Sequence, residues 1–256
     1  MPMLMPNATA PLADDTRPSG TAFDWTVVIP AFNEEKRLGA TLHTILDHLA
    51  TRPRPCETIV VDDGSTDGTV ALVARDFPSV RILRNPGNRG KGYSVRAGIL
   101  AARGERILFS DADLSTPIEE LTRLEAELDG GADVAIASRA MAGSRIEVHQ
   151  AWWRELAGRC FNAVVRLVSG LPYHDTQCGF KAYRREAARR IAALQRLDGW
   201  AFDVEQLRIA RLLGLRVAEV PVRWINSDAS RVRLLTAAPR MLRDVVRVRL
   251  MRYPTR

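Results

Sequence analysis

The chain has 256 residues, of which 46% are hydrophobic and 26% are charged. This composition is typical of a globular domain and too apolar for an intrinsically disordered chain. The net charge of +7 is concentrated at the C-terminus, because residues 231–256 contain eight arginines and one acid while the rest of the chain is balanced. A neutral body with a basic end indicates an anionic surface as a partner.

The cysteines and the absence of targeting patterns suggest a reducing compartment. The three cysteines, Cys56, Cys160 and Cys178, are odd in number and have no CxxC spacing. This spacing argues against a disulfide framework and against a zinc site. No apolar run is long enough to cross a bilayer, and the N-terminus lacks the pattern of a secretory signal. We therefore expect a cytoplasmic protein, either free or attached at a membrane surface.

In chain order, the first half of the sequence alternates between strands and helices. Residues 1–23 lack periodicity, so we predict a disordered leader. From Trp25 onward, apolar runs predict strands at 25–30, 57–63, 80–85, 105–113 and 132–138. Segments with helical periodicity lie between them, at 34–50, 69–77, 91–102 and 118–128. This alternation predicts an α/β fold with a mostly parallel central sheet and helices on both faces.

The second half is less regular. We expect a loop at 139–150, an amphipathic helix at 152–169, an extended segment at 175–183, helices at 185–195 and 203–213, and a strand at 216–224. No internal repeat or linker is visible. The sequence thus predicts one domain over 24–236, followed by a basic amphipathic helix within 237–256 that suits an anionic bilayer. A solvated arginine face on a helix packed against the core is the alternative.

Polar residues cluster where the predicted parallel strands end. The carboxyl ends of such strands share one edge of the sheet, which is where ligands bind in this class of fold. Four strands contribute to this edge: Asn33 and Glu34 follow the first, Asp62 and Asp63 end the second, Asn88 to Lys91 follow the third, and Asp111 and Asp113 end the fourth. We expect these residues to form one site.

Asp111 and Asp113 in "FSDADLSTP" allow two interpretations. Two carboxylates on a turn after a strand suit a hard divalent ion, which takes oxygen ligands. Alternatively, Asp113 or Ser115 caps a helix that begins near Pro117. The two roles are compatible, since the aspartates can bind metal while Ser115 or Thr116 caps the helix.

Three further motifs also have a functional and a structural interpretation. The loop in "VVDDGSTDGT" either binds a base or ribose or is a connection in which Ser65, Thr66 or Asp67 caps the next helix. Capping does not explain the adjacent like charges of Asp62 and Asp63. The glycine-rich loop before Lys91 can approach phosphates, although it matches neither a P-loop nor a dinucleotide-binding motif. Asp203 and Glu205 either oppose a helix dipole or supply a carboxylate near an acceptor.

The motifs together resemble a known family. "VVIPAFNEE", "VVDDGSTDGT", "NRGKGYSVRAG", "SDADLSTP", "DTQCGFKAY" and "WAFDVEQL" occur in the order typical of inverting family 2 glycosyltransferases with the GT-A fold. The sequence is most similar to the dolichyl-phosphate β-glucosyltransferases, and dolichyl-phosphate mannose synthases are close relatives. The latter tend to carry Gln two residues after the DxD motif, where this chain has Ser115, so the glucosyl branch is favoured.

The resemblance implies a role for each matching residue. Asp111 and Asp113 would hold Mg²⁺ or Mn²⁺, and Arg139 would face a donor or acceptor phosphate. The implied donor-binding residues are Pro30, Asn33, Glu34, Asp62, Asp63, Lys91, Asp111 and Ala112. The implied acceptor-side residues are Arg139, Asp175 and Gln177, with Asp203 and Glu205 as further catalytic candidates.

The implied reaction is transfer of glucose from UDP-glucose to a polyprenyl phosphate, with inversion. Mannose transfer from GDP-mannose and transfer to a soluble hydroxyl acceptor remain alternatives. The expected partners are a nucleotide sugar, a polyprenyl phosphate and the cytoplasmic face of a membrane. We expect no nucleic-acid partner, because no basic motif with interleaved aromatic residues occurs.

Overall fold

A computed structural model describes residues 23–148, 152–226 and 234–254. All of the expected leader except Phe23 therefore lies outside the described residues, as do 231–233 and 255–256 of the basic end. In the described ranges the strands are β1 (Trp25–Ala31), β2 (Glu57–Asp62), β3 (Arg81–Arg84), β4 (Arg106–Ser110), β5 (Val134–Ser138), β6 (Arg145–Val148), β7 (Phe180–Arg184), β8 (Val217–Pro221) and β9 (Arg223–Ile225). The α-helices are α1 (Leu38–Ala50), α2 (Thr69–Asp76), α3 (Lys91–Ala101), α4 (Leu121–Asp129), α5 (Trp152–Ser169), α6 (Arg185–Leu194), α7 (Phe202–Leu212) and α8 (Leu234–Leu250).

Seven strands form one sheet in the order β3-β2-β1-β4-β7-β5-β8. Strands β3, β2, β1 and β4 run parallel, while β7 pairs antiparallel with both β4 and β5. β5 and β8 are parallel. The predicted mostly parallel α/β sheet is confirmed, and its mixed character comes from the single inserted strand β7.

Helices cover both faces of this sheet, as predicted. On one face α1, α2 and α4 pack on the core, and α1 buries Leu38, Leu42, Ile45 and Leu49 at helical spacing. Each fully buried side chain of this kind contributes about 1.5–3 kcal/mol. The other face is covered by α3, α5, α6, α7 and α8. Strands β1, β2 and β5 are buried almost throughout, which explains their continuous apolar runs.

Two local predictions are wrong. The predicted loop at 139–150 contains β6, which pairs in parallel with β9 in a separate two-stranded sheet. The single strand expected at 216–224 is divided at Val222 into β8 and β9, which belong to different sheets. The residues of β6 and β9 are half-buried or exposed, so they lack the apolar run that identifies a core strand.

The C-terminal helix α8 packs on the core. Val245 and Val248 are fully buried in the same cluster as residues of α5 and α7, while Arg240, Arg243 and Arg247 point outward. Val246 is 43% exposed and lies on the same side of the helix as these arginines. In the part of the chain that the structure describes, no helix combines the length and the apolar composition needed to cross a bilayer.

Candidate active site

The ends of β1, β2 and β4 bring the predicted polar residues to one edge of the sheet. Ala31 and Asp62 are paired at the ends of β1 and β2, and Asp63 N donates to Ala31 O at 2.8 Å. Asp62 O in turn accepts from Asn85 N at 2.9 Å. Because all three strands are parallel, the loops that follow them share this edge.

Asp111 and Lys91 form the centre of the site. Lys91 Nζ lies 2.6 Å from Asp111 Oδ1, and its side chain is only 16% exposed. Three aromatic rings surround the ammonium, those of Phe109, Trp200 and Phe202, with centroids 5.1–6.0 Å away. Burial lowers the pKa of Lys91, but the carboxylates of Asp111 and Asp203 outweigh it, so the pKa is raised overall. Lys91 therefore stays protonated.

Gly179 gives the Asp111 carboxylate its space. Asp111 N donates to Gly179 O at 2.9 Å, which ties the end of β4 to the start of β7. A Cβ atom at residue 179 would overlap the Asp111 carboxylate. Only glycine allows so close an approach.

Asp113 belongs to a tight turn beside Asp111. Its Oδ1 accepts from Ser115 N at 3.2 Å, and Leu114 between them has a φ of +47°. The helical segment that follows begins as a 3-10 helix at Ile118, with no side-chain hydrogen bond capping it, so the capping interpretation is not confirmed. A small cavity opens beside Asp111 and Asp113, and Trp224 forms part of its wall.

The two aspartates fit a divalent ion that shares its ligands with a substrate. Asp111 Oδ1 is buried and has no hydrogen bond of regular geometry within the described residues, although the Lys91 ammonium lies 2.6 Å away. Among the described side chains, no group of three or more His, Cys, Asp or Glu converges as a metal-binding cluster. Mg²⁺ commonly binds to one or two carboxylates and completes its shell with water and phosphate oxygens. The carboxylates present match that donor set.

Arg37 is a cation of this site that the sequence analysis missed. Its Nε and Nη2 donate to the two carboxylate oxygens of Glu34, the second at 2.6 Å. The carboxylates of Glu34, Asp113 and Asp111 raise the pKa of Arg37. Its Nη1 is buried and has no hydrogen-bond partner among the residues that the structure describes. The three-residue spacing of Glu34 and Arg37 was the available signal, since such residues are neighbours on a helical turn.

Asn33 and Asp63 shape the loops of the donor side. Asn33, at a φ of +56°, accepts through Oδ1 from Thr66 N at 2.8 Å and from Asp67 N at 3.3 Å. Asp63 accepts from Asn85 Nδ2, Arg89 N and Gly90 N. Their hydrogen-bonding capacity is thus largely used in holding the loops.

The other predicted donor-binding residues are Asp62, Pro30 and Ala112, which lie at or next to the ends of β2, β1 and β4. Asp62 is buried, and its Oδ1 accepts from Ser65 N at 3.0 Å. In the described part of the chain its Oδ2 has no hydrogen-bond partner, although Arg84 Nε lies 3.9 Å away. Pro30 is half-buried near the end of β1. Ala112 lies between the two aspartates, and its carbonyl accepts from Thr41 Oγ1 at 2.7 Å.

Arg139 and Asp175, both predicted on the acceptor side, bind each other. Arg139 donates to Asp175 through Nε at 2.6 Å, Nη2 at 2.9 Å and the backbone N at 3.1 Å. Burial opposes both charges, but the pairing raises the pKa of Arg139 and lowers that of Asp175. Trp224 lies 4.6 Å from the guanidinium, which remains 35% exposed. Gln177 N donates to Asp175 Oδ1 at 3.2 Å.

Asp203 and Glu205 are buried in internal networks. Asp203 forms an ion pair with the fully buried Lys181, and burial raises its pKa. Glu205 accepts from Arg196 N and Leu197 N, both at 2.8 Å, and from Tyr253 Oη at 2.9 Å. The structure gives Glu205 the role of holding the chain before α7 and after α8, and this geometry does not support a carboxylate that faces an acceptor.

The family follows from comparison with known proteins. The profile of the family described as Glycosyl transferase family 2 matches residues 26–192. The chain belongs to this family. It is 35% identical over 246 residues to the dolichyl-phosphate beta-glucosyltransferase of Homo sapiens, covering 90% of this chain and 76% of that protein. It is 33% identical to the enzyme of the same name from Dictyostelium discoideum, covering 88% of this chain and 73% of that one.

Solved structures agree with the fold. The chain is similar to glucosyl-3-phosphoglycerate synthase from Mycobacterium tuberculosis in complex with UDP, with a TM-score of 0.66 and 24% sequence identity, over 91% of this chain and 84% of that one. The same synthase bound to Mn²⁺, UDP-glucose and phosphoglyceric acid superposes with a TM-score of 0.65 at 22% identity, over 91% of this chain and 84% of that one. These neighbours establish the expected GT-A fold.

Proposed function

We propose that this protein transfers glucose from UDP-glucose to the phosphate of a dolichyl-type polyprenyl lipid, giving a β-linked lipid phosphosugar and UDP. The observation that carries the proposal is the consistency of its relatives. Proteins named dolichyl-phosphate beta-glucosyltransferase from Homo sapiens, Dictyostelium discoideum and Saccharomyces cerevisiae are 31–35% identical to it over 88–90% of its length. The charged side chains of Asp111, Asp113 and Lys91 at the edge of the sheet are compatible with binding the diphosphate of such a donor together with a metal ion.

Asp111 and Asp113 are the residues that would hold Mg²⁺ or Mn²⁺. When bound, the ion supplies positive charge that stabilises the departing diphosphate. Lys91 supports the same end of the donor, because its ammonium is already held at Asp111. The related mycobacterial synthase has been crystallised with Mn²⁺ and UDP-glucose, which is consistent with this assignment.

The donor nucleoside would lie against the loops after β1 and β2. The buried Oδ2 of Asp62 has no hydrogen-bond partner in the described ranges, so a ribose O–H or a base N–H can donate to it. Asn33 and Asp63 hold the surrounding loops in shape through hydrogen bonds to backbone N–H groups. Pro30 and Glu34 border the same region. A loop held in this way binds its ligand with little loss of conformational freedom.

The acceptor needs no strong base in this proposal. A phosphate monoester has a second pKa of about 6, so it is largely ionised at neutral pH. Its oxygen attacks the anomeric carbon as the bond to the diphosphate breaks, which inverts the configuration. Arg139, held by Asp175 and partly exposed, offers a positive charge for positioning the acceptor phosphate. Catalysis then rests on orientation and on charge stabilisation, without a carboxylate base.

The decisive test offers radiolabelled UDP-glucose, UDP-galactose and GDP-mannose separately, with polyprenyl phosphate and Mg²⁺, and counts label in the organic phase. We expect lipid-extractable label from UDP-glucose. Asp113→Ala should abolish it, while Asp47→Asn, on the exposed side of α1, should not. Label from GDP-mannose alone would favour a mannosyltransferase. The absence of extractable label from every donor would overturn the proposal, and transfer to water-soluble alcohols would then indicate a hydroxyl acceptor.

The proposed acceptor also implies where the protein works. A polyprenyl phosphate is retained in a bilayer by its apolar chain, so the enzyme has to reach a membrane surface to meet it. We therefore propose that it works at a membrane surface, on the cytoplasmic face.

A further inference from the structure

The outer surface of α5 is apolar and exposed. Residues of α5 that point toward the core include the fully buried Val165, whereas the exposed side chains that the structure describes on the opposite side, those of Cys160, Ala163, Val164 and Leu167, carry no charge. Leu167 is 81% exposed and Val164 is 41% exposed. Cys160 and Ala163 lie on the same side, at the spacing that places residues on one helix face. A contiguous exposed patch of apolar side chains is a feature of surfaces that contact proteins or membranes.

The outward side of α8 is basic with two exposed apolar side chains. Leu250 is 75% exposed and Val246 is 43% exposed. Arg240, Arg243 and Arg247 lie on the same side, while Val245 and Val248 point into the core. Arg243 is paired at 3.6 Å with Asp244, which is the one acid in the sequence of this helix.

The two helices lie side by side over the same core. Val165, Val245 and Val248 belong to one buried cluster, and Arg249 Nη1 of α8 donates to Val168 O of α5 at 2.9 Å. Their outward sides therefore point away from the same core and form one surface. We call this surface the docking face, defined by Cys160, Ala163, Val164, Leu167, Arg240, Arg243, Val246, Arg247 and Leu250.

The core side of α8 contacts the acceptor side of the candidate site. Gln177 Nε2 donates to Met241 Sδ of α8 at 3.3 Å. Gln177 is bonded in turn to Asp175, the partner of Arg139. The helix that carries the basic part of the docking face is therefore joined through its core side to the residues that hold Arg139.

We propose that the docking face rests on an anionic lipid bilayer, with the apolar side chains of α5 and α8 in the headgroup region and the arginines against lipid phosphates. The combination of exposed Leu and Val with arginine is the pattern of helices that lie in a bilayer interface. The proposal deepens the proposed function and rests on it for its biological purpose, because it names the surface through which a membrane-bound acceptor is reached.

A second copy of the chain suits this face less well. Two docking faces brought together about a twofold axis would place the three arginines of each copy near those of the other, and like charges at an interface oppose association. An anionic bilayer instead offers negative charge around the arginines and an apolar layer for Leu167 and Leu250.

The test uses the full chain with vesicles of phosphatidylcholine alone and of phosphatidylcholine with 30% phosphatidylglycerol. We expect co-sedimentation with the anionic vesicles to exceed that with neutral ones by about tenfold. Arg243→Glu with Arg247→Glu, and separately Leu167→Asp, should each reduce it to the neutral level. All three substituted residues are exposed, so we expect both variants to fold. The matched control is Arg75→Glu with Arg190→Glu, two exposed positions that give the same change in net charge and should bind like the wild type.

A fluorophore on Cys160 reports the orientation. Cys160 is exposed, whereas Cys178 is buried, and burial raises the pKa of its thiol to about 12, so Cys178 is not expected to react. With Cys56 replaced by Ser, an environment-sensitive label at Cys160 should shift to shorter wavelength on the anionic vesicles. Equal binding to both vesicle types, or loss of binding in the control variant alone, would overturn the proposal. A dimer that Leu167→Asp dissociates, without vesicle binding, would assign the face to a second copy.

Activity on a short, water-soluble isoprenyl phosphate separates the two proposals. In the absence of vesicles, the wild type and the variant with Arg243→Glu and Arg247→Glu should transfer glucose equally, while only the variant should lose transfer to long-chain acceptor in vesicles. If the wild type acts neither on the soluble acceptor nor on the long-chain acceptor in vesicles, the proposed function fails whatever the sedimentation result. If both proteins act equally on vesicles, the docking face fails while the proposed function stands.

Discussion

Lys91 and Asp111 form an ion pair at 2.6 Å beneath the aromatic ring of Trp200, which lies 5.1 Å from the ammonium. The pair joins the start of α3 to the end of β4, the two elements whose residues we assigned to the diphosphate end of the donor. Because the Lys91 ammonium is paired with a candidate metal ligand, we expect it to compete with the metal ion for Asp111. We also expect it to bind a phosphate of the donor.

Replacing Lys91 with Met should separate these two effects. Without the ammonium, the departing diphosphate loses one stabilising charge, and removal of such a group typically lowers kcat by about 10²–10³. At the same time, Asp111 is no longer neutralised, so Mn²⁺ should bind more tightly to the protein without donor. Calorimetric titration with Mn²⁺ measures the second effect independently of activity.

Lys36→Met is the matched control for this prediction. Lys36 is exposed, and its replacement removes the same charge from a position outside the ion pair. It should leave both the rate and Mn²⁺ affinity near their wild-type values. Wild-type kcat in Lys91→Met would contradict the assignment of Lys91 to the diphosphate.

Gly179→Ala should inactivate the protein without unfolding it. The new Cβ atom would overlap the Asp111 carboxylate, so Asp111 has to leave its place beside Lys91. We expect transfer to fall as in Asp113→Ala while the circular dichroism spectrum stays unchanged. Gly158→Ala is the control, because a Cβ atom there meets nothing within 4 Å, and in a helix the change should stabilise by about 1 kcal/mol. Full activity in Gly179→Ala would show that the position of Asp111 is not critical.

The sequence was sufficient to predict the sheet and the residues at its edge. Apolar runs identified β1, β2 and β4, and in a parallel sheet their ends have to meet, so Asp62, Lys91 and Asp111 could be grouped in advance. The position of each residue directly after a predicted strand was enough for this grouping. The same argument does not reach β6 and β9, which are short, largely exposed and paired across 78 residues between Arg145 and Arg223.

The roles of the buried carboxylates could not be predicted from the sequence. Asp203 and Glu205 resemble ligand-facing acids, but their partners lie far away in the chain: Lys181 for the first and Tyr253 for the second. A carboxylate bonded to backbone N–H groups and one that faces a ligand have the same local sequence. Trp200 and Trp224 were missed for a similar reason, because their positions over Lys91 and Arg139 depend on the packing of separate loops.

The pairing of Asp175 with Arg139 should make stability depend on pH in acid. An unfolded Asp has a pKa of about 3.9, and the pairing lowers the pKa of Asp175 in the folded protein. The folded state therefore binds fewer protons than the unfolded state between these values. The stabilisation is fully present above the unfolded pKa and is lost as pH falls through the folded pKa.

Asp175→Asn tests this dependence. At pH 7 the variant should be less stable by about 3 kcal/mol, the low end for breaking a buried pair, because Arg139 is about one-third exposed. Below pH 4 the difference should shrink, since the wild type loses the same interaction. Urea denaturation at a series of pH values measures it, with the exposed Asp47→Asn as control. A difference that stays constant down to pH 2 would contradict the lowered pKa.

Glu205→Gln should reduce stability more than it reduces catalysis. The Glu205 carboxylate is fully buried and accepts from Arg196 N, Leu197 N and Tyr253 Oη. The amide of Gln puts a donor against one of these donors, and a buried unsatisfied group costs about 1–3 kcal/mol. Chemical denaturation should show this loss, while kcat at a temperature where the variant is folded stays within about threefold of the wild type, far above the 10²–10⁴-fold effect of losing a general base.

Tyr253→Phe provides the comparison for Glu205→Gln. It removes one hydrogen bond from the same carboxylate and should cost about 1 kcal/mol. Because the two side chains are in contact, the double variant should lose less stability than the sum of the single ones. If Glu205→Gln instead abolished transfer while its denaturation midpoint matched that of the wild type, the carboxylate would act on the substrate. The acceptor would then be a hydroxyl group that needs a base, since a phosphate that is already ionised has no proton for Glu205 to remove.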